Sequence, residues 1–301
     1  MTIKQATNST CAYVALIGRS NVGKSTLLNT LLGEKLCITS RRLQTTRHKI
    51  LGIKTKDNYQ IIYVDTPGWQ RQTKHQLNQM MNKTAESVWH DVDILLWVID
   101  ISYWHEEDEK ILAKLKQIKK PVFLLINKID LLADKNVLLP RLQELGNKMA
   151  FADMLPISAK TGANVDALEQ QLIKLLPDSP HFFPEDQITD RRESFIIAEI
   201  IREKILRLLS QEVPHHCAVM VERVEDKTKC LYIDAVIWVE RRGQKAIIIG
   251  KGGEKLKEIG RRARLSLQAR YDKPVMLKLW VQIKNRWTDE LTALRQLDMD
   301  E

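Results

Sequence analysis

The chain has 301 residues, 44% of them hydrophobic and 28% charged, with a formal net charge of +9. That is long enough for two cores of ordinary size, about 100 to 150 residues each, and too apolar for pervasive disorder. No run approaches the ~18 uninterrupted apolar residues of a membrane span, and the first residues, Met1-Thr2-Ile3-Lys4-Gln5, lack an apolar export core.

Cys11, Cys37, Cys217 and Cys230 show neither metal-ligand nor disulfide-framework spacing, so a reducing cytosol is expected. The apolar run Tyr13 to Ile17 reads as a strand and Thr26 to Leu32 as a helix. Between them lies Gly18-Arg19-Ser20-Asn21-Val22-Gly23-Lys24-Ser25, with Thr26 opening the helical pattern. Strand, glycine-bounded loop and helix are the context of a phosphate-binding loop. Successive main-chain N–H groups and the helix N-terminus converge there on phosphate oxygens. In that reading Lys24 neutralises the β- and γ-phosphates and Ser25 ligates Mg²⁺.

The polar stretch Gln44-Thr45-Thr46-Arg47 offers a threonine to complete the Mg²⁺ shell, and Thr46 is chosen over Thr45. The strand Ile61 to Val64 ends in Asp65-Thr66-Pro67-Gly68. Asp65 is the expected Mg²⁺-side carboxylate. Gly68, with no side chain, lets its N–H approach the γ-phosphate, and hydrolysis then releases the loop. After the apolar run Val122 to Ile126 comes Asn127-Lys128-Ile129-Asp130. A carboxylate at Asp130 accepts two hydrogen bonds from guanine and finds no matching pair on adenine, which favours GTP over ATP. Ser158-Ala159-Lys160, following the short strand Met154 to Ile157, fits a third base-contacting loop.

Pro177-Asp178-Ser179-Pro180-His181-Phe182-Phe183-Pro184 cannot continue a helix and marks the joint between domains. Before it, alternating strands and helices predict an α/β domain, a mostly parallel sheet covered on both faces. After it, Ile196, Ile197, Ile200, Ile201, Ile205, Leu208 and Leu209 recur at helical spacing, then Ala218 to Val224 and Leu231 to Val239 read as strands. A helix leads into Gly250-Lys251-Gly252-Gly253, another follows, and the strand Val275 to Ile283 closes an α+β set. Residues 241–286 hold 14 Lys and Arg against 3 Asp and Glu, a surplus of 11 that exceeds the charge of the whole chain. A basic segment around a glycine loop suits a sugar-phosphate backbone, with Lys251, Lys255, Arg241, Arg242, Arg261 and Arg262 as candidate contacts. An exposed single strand fits better than a DNA groove, so no DNA partner is expected. Trp89, Trp97 and Trp238 read as core, Trp280 as packing rather than base stacking, and His215 and His216 as turn residues without chemistry.

These segments together resemble the Era family of bacterial ribosome-assembly GTPases, in the translation-factor-related branch. Thr45-Thr46-Arg47-His48, Phe183-Pro184-Glu185-Asp186 with Ile188-Thr189-Asp190-Arg191, and Gly250-Lys251-Gly252-Gly253-Glu254-Lys255-Leu256 extend the match beyond the nucleotide motifs. The resemblance implies a P-loop GTPase domain over 1–180, a linker over 181–190 and a type II KH RNA-binding domain over 191–301. It implies GTP and GDP as nucleotides, the 3′ end of 16S rRNA as ligand and the maturing 30S subunit as partner. Trp69 stands where Ras-like GTPases place the glutamine that orients water, and an indole cannot accept that water's proton. Lys24, Thr46 and Gly68 are then the catalytic set, with Asn21 holding K⁺ where an arginine finger's charge would otherwise lie. The resemblance permits peripheral contact with the cytoplasmic face of the inner membrane. Two alternatives stay open: a membrane-associated signalling GTPase, and an RNA-binding chaperone whose nucleotide is only a structural switch.

Overall fold

The apolar runs of the first half become strands of one sheet because their side chains are buried on both faces, as a parallel sheet covered by helices requires. In the structure, a computed structural model describing residues 9–40, 45–68, 76–209, 217–290, 292–293 and 297, these are β1 (Thr10–Ile17), β2 (Ile50–Lys56), β3 (Tyr59–Asp65), β4 (Ile94–Asp100), β5 (Val122–Asn127) and β6 (Asp153–Pro156). Their order is β2-β3-β1-β4-β5-β6, parallel throughout except for β2, which pairs antiparallel with β3. β2 is the strand that residue pattern does not announce. It lies on the sheet edge, and its Lys54 and Lys56 dilute the apolar signal.

Helices α1 (Lys24–Leu32), α2 (Gln76–Asp91), α3 (Glu106–Leu115), α4 (Leu138–Gly146) and α5 (Val165–Ile173) alternate with these strands. Trp97 and Trp89 are buried among β1, β4, β5 and α3 side chains, as expected. β1 lies between β3 and β4, the point where the strand order reverses, so a crevice opens at the carboxyl end of β1, where ligands of such sheets bind. The loops beginning at Gly18, Thr66, Lys128 and Ile157 all leave carboxyl ends of neighbouring strands.

The segment after α5 has no helix up to Asp190 and is fixed to the same sheet. Gln60, wholly buried in β3, donates from Nε2 to the Phe183 carbonyl (2.8 Å) and to Thr55 Oγ1 (2.8 Å). Its Oε1 accepts the N–H groups of Phe182 (2.8 Å) and Phe183 (3.0 Å). The N–H of Ile53 donates to the Ile188 carbonyl (2.8 Å).

Among the described residues, those of Met1–Cys37, Lys49–Thr73 and Met81–Asp190 form one compact unit, and those of Ile38–His48, Lys74–Met80 and Arg191–Glu301 another. In the second, α6 (Glu193–Leu208), β7 (Cys217–Lys227), β8 (Cys230–Val239), α7 (Arg242–Ile249), α8 (Glu254–Tyr271) and β9 (Val275–Ile283) follow in that order. β7 pairs antiparallel with β8, and β8 parallel with β9. Ile197, Ile201 and Ile205, four residues apart on α6, join Ile233, Ile237, Ile259 and Ala263 in its core. Trp238 is buried as expected, and Trp280 is 38% exposed. It shares the outer face of β9 with Met276, Lys278 and Gln282, which are also exposed. His215, His216, Gln44 and Trp69 lie outside the described residues. Among the described residues no helix is long and apolar enough to cross a membrane.

Replacing Gln60 with Leu would remove the partner of the Phe182 and Phe183 N–H groups and of the Phe183 carbonyl. The expected cost is about 2–4 kcal/mol, read from the shift of a denaturant unfolding midpoint, and an unchanged midpoint would refute the clamp.

Candidate functional site

Lys24 opens α1 and is driven inside by the loop's own path. Its Nζ donates to the carbonyls of Gly18 (3.0 Å) and Arg19 (2.9 Å). Burial lowers its pKa from 10.5 to about 8, the Asp65 carboxylate opposes that shift, and the Arg19 guanidinium reinforces it. The next residue, Ser25, donates from Oγ to Asp65 Oδ2 at 2.6 Å, so the two expected Mg²⁺ ligands meet. Thr66 Oγ1 anchors the following loop to the Leu16 carbonyl (3.0 Å). A Cβ on Gly68 would stand 2.5 Å from Ser20 Oγ and 2.7 Å from the Ser20 main chain, so only glycine lets this loop lie against the phosphate loop. Asn21 is exposed with a left-handed φ of 64°.

The base-reading segments converge on the same loop. Asn127 Nδ2 donates to the Val22 carbonyl (2.7 Å) and Oδ1 accepts the Ala159 N–H (2.9 Å). This buried amide therefore joins three loops rather than facing outward. Asp130 Oδ1 accepts Ser158 Oγ at 2.6 Å, while Lys160 and Asp130 are exposed. Lys128 pairs with Asp100 at the end of β4. Burial pushes the Asp100 carboxyl up, but hydrogen bonds from Lys128 and Ser102 hold it below the usual carboxylate range. Sequence reasoning missed Asp100. The signal available was an acid closing an apolar strand, the same pattern that marks Asp65.

Thr46 is buried, but in the second unit, whereas Ser25 and Asp65 belong to the first. Its neighbours in sequence are held there. The Thr45 carbonyl accepts a hydrogen bond from Arg202, Arg47 Nη1 donates to the Cys217 carbonyl (2.9 Å), and the Thr39 N–H donates to Glu203 Oε1 (3.2 Å). Arg202 is in turn bidentate on Glu199 (2.6 and 2.8 Å). Burial, with Arg202 nearby, brings the Arg47 pKa down to about 10. Sequence reasoning also missed Glu199, Arg202 and Glu203, because charged residues on a helix such as α6 read as a solvated face.

In the same unit, Gly250 to Gly253 join α7 to α8 with a left-handed φ at Gly250, Gly252 and Gly253. A Cβ at Gly252 would meet nothing within 4 Å, so the main chain there is open to an incoming backbone. Lys251, Lys255, Arg241 and Arg242 are exposed around it. Arg261 is exposed as well, yet its guanidinium grips Glu258 (2.8 and 2.9 Å), as does Arg262 (2.6 Å). These surface pairs are weak, but they lessen the charge that Arg261 and Arg262 offer to phosphates.

Residues 13–128 match the family model described as 50S ribosome-binding GTPase, and residues 212–288 the model described as KH domain. GTPase Era of Coxiella burnetii (strain Dugway 5J108-111) is 48% identical over 291 residues, covering 97% of this chain and 98% of that relative. The chain belongs to the Era family of GTPases. Its activity is therefore GTP hydrolysis, and the Era-family architecture accounts for a P-loop GTPase unit followed by a KH unit. Two solved structures agree over 97% of this chain and all of theirs, each with a TM-score of 0.93 and 39% identity. One is an Aquifex aeolicus Era variant bound to GDP·AlF₄⁻, and the other is Era in complex with MgGDPNP and nucleotides 1506–1542 of 16S ribosomal RNA.

A phosphate at Lys24 restores an anionic partner and raises its pKa, so above about pH 8 nucleotide binding takes up a proton. GDP affinity should be flat below about pH 8 and fall above it, by at most about tenfold per pH unit. Titrations between about pH 7 and 9 check this, with Lys24→Met expected to remove the slope.

Proposed function

We propose that the chain couples GTP hydrolysis to capture of the 3′ end of 16S rRNA and acts in assembly of the 30S subunit. The observation that carries the RNA half is the open Gly252 main chain amid Lys251, Lys255, Arg241 and Arg242. The RNA complex of an Era structure that matches nearly the whole chain supports the same ligand. The domain limits follow the sequence reading: GTPase domain 1–180, linker 181–190, KH domain 191–301.

Ser25 and Asp65 present hard oxygen donors 2.6 Å apart, a donor set suited to Mg²⁺. With Thr46 they would hold the ion, which when bound neutralises charge on the phosphates. Lys24 orients those phosphates, the N–H of Gly68 marks the γ-phosphate, and Asp130 with the Ala159 loop selects guanine. Asn21, left-handed and exposed, is our candidate K⁺ ligand; turnover is expected to be faster in K⁺ than in Na⁺ at equal ionic strength, and equal rates would remove that role.

Nucleotide state gates RNA in this reading because the γ-phosphate orders the segments around Thr46 and Gly68, and the free energy of that ordering is what links the sites. The chain works in the cytoplasm in this reading, and its basic surplus suits peripheral contact with an anionic leaflet.

The test is a titration of the full chain with a 16S 3′-end oligonucleotide. A non-hydrolysable GTP analogue should tighten RNA binding by the factor by which RNA tightens the analogue. Gly252→Asp places a carboxylate where a phosphate should pass and is expected to weaken RNA by about tenfold or more while leaving GTP affinity unchanged. Wild-type RNA affinity in that variant would overturn the proposal.

A further inference from the structure

Arg19 occupies the first variable position of the phosphate loop and faces two ways. Its carbonyl accepts Lys24 Nζ (2.9 Å), while its side chain turns aside and donates from Nε to Asp108 Oδ2 (2.8 Å). Both partners are inside, with side chains 7% and 0% exposed. A buried ion pair gives little stability, since removing two charges from water cancels most of their attraction. This pair is also imperfectly satisfied: among the described residues, Arg19 Nη2 and Asp108 Oδ1 are buried without a hydrogen-bond partner. Stability alone would favour two apolar side chains at these positions, so another demand has to explain the pair.

What the pair supplies is direction. Asp108 Oδ2 also accepts the His105 N–H (2.9 Å) and so belongs to the first turn of α3. Tyr103 lies under the guanidinium at 5.4 Å, closing the other side. The connection from β4 to α3 that carries these residues begins at Asp100, which pairs with Lys128 of the base-reading loop and accepts the Ser102 N–H (2.9 Å). A single stretch of chain is therefore tied by one carboxylate to the loop that reads guanine and by another to the loop that holds phosphates.

We propose that Arg19 and Asp108 are positioning residues for GTP hydrolysis: their buried pair fixes the carbonyls of Gly18 and Arg19, and with them the place of Lys24, against the start of α3. Both side chains act through the loop's main chain. The effect reaches the reaction through the ammonium that the Arg19 carbonyl holds, and small displacements of such a group are costly to a reaction that depends on charge placed in advance.

The test uses the full chain with Arg19→Met and Asp108→Leu combined, which removes both charges and roughly keeps volume. Its melting midpoint is expected to stay near wild type, while kcat falls about tenfold or more and KM for GTP changes less. Arg19→Lys keeps the charge but loses the Nε donor, and an intermediate kcat at a wild-type midpoint is expected. A folded double variant with wild-type kcat overturns the proposal. Should the double variant fail to fold, Arg19→Lys decides alone: a wild-type kcat overturns the proposal and a lowered kcat supports it.

Discussion

The nucleotide unit depends on a buried cation. Lys24 carries its ammonium into a buried position, where main-chain carbonyls of its own loop receive it and burial pulls its pKa down to about 8. A charge held this way is destabilised until a phosphate arrives, and that deficit is what makes the loop a strong anion receptor. The surrounding residues keep the receptor in shape. Asn127 ties the phosphate loop to the base-reading loops, Ser25 reaches Asp65, and Gly68 lies directly on Ser20. Remove the rigidity and the same residues would be a mobile glycine-bounded turn.

Different physics governs the KH unit. Its glycine loop is open and its cations are exposed, so binding there is screened and salt-dependent, as contact with a polynucleotide backbone requires. The buried charges of the unit sit elsewhere, on α6. Burial pushes Glu199 up, yet the Arg202 guanidinium holds it below the usual range, and the Thr45 carbonyl completes the arrangement. A segment that carries a candidate metal ligand is thereby committed to polar partners that are strongly destabilised when left unpaired.

The strands were legible because apolar runs such as Val122 to Ile126 and Val275 to Ile283 differ sharply from their flanks, and the loops because glycines and polar motifs end those runs. β2 was not, since an edge strand buries less and tolerates lysines. Asn127 reads as a base contact from its place after β5, and the structure adds that its amide also bridges Val22 and Ala159. Motif spacing gives the chemical type of a group and says nothing about which neighbour satisfies it. Trp280 illustrates the converse: alternation places it on one face of β9, but whether that face is covered depends on what else packs there.

From the linear chain came the nucleotide chemistry, the guanine preference, the break before Arg191 and the basic glycine loop, because each is written in residue type and local order. Three-dimensional packing alone decided that Arg19 meets Asp108 across 89 positions, that Asp100 meets Lys128, and that the stretch around Thr46 lies with Arg202 and Glu203. The reason is that an ion pair or hydrogen bond is a relation between two groups brought close by the fold. A charged residue read singly is most often a solvated one, and only its burial beside a partner reveals the constraint it imposes.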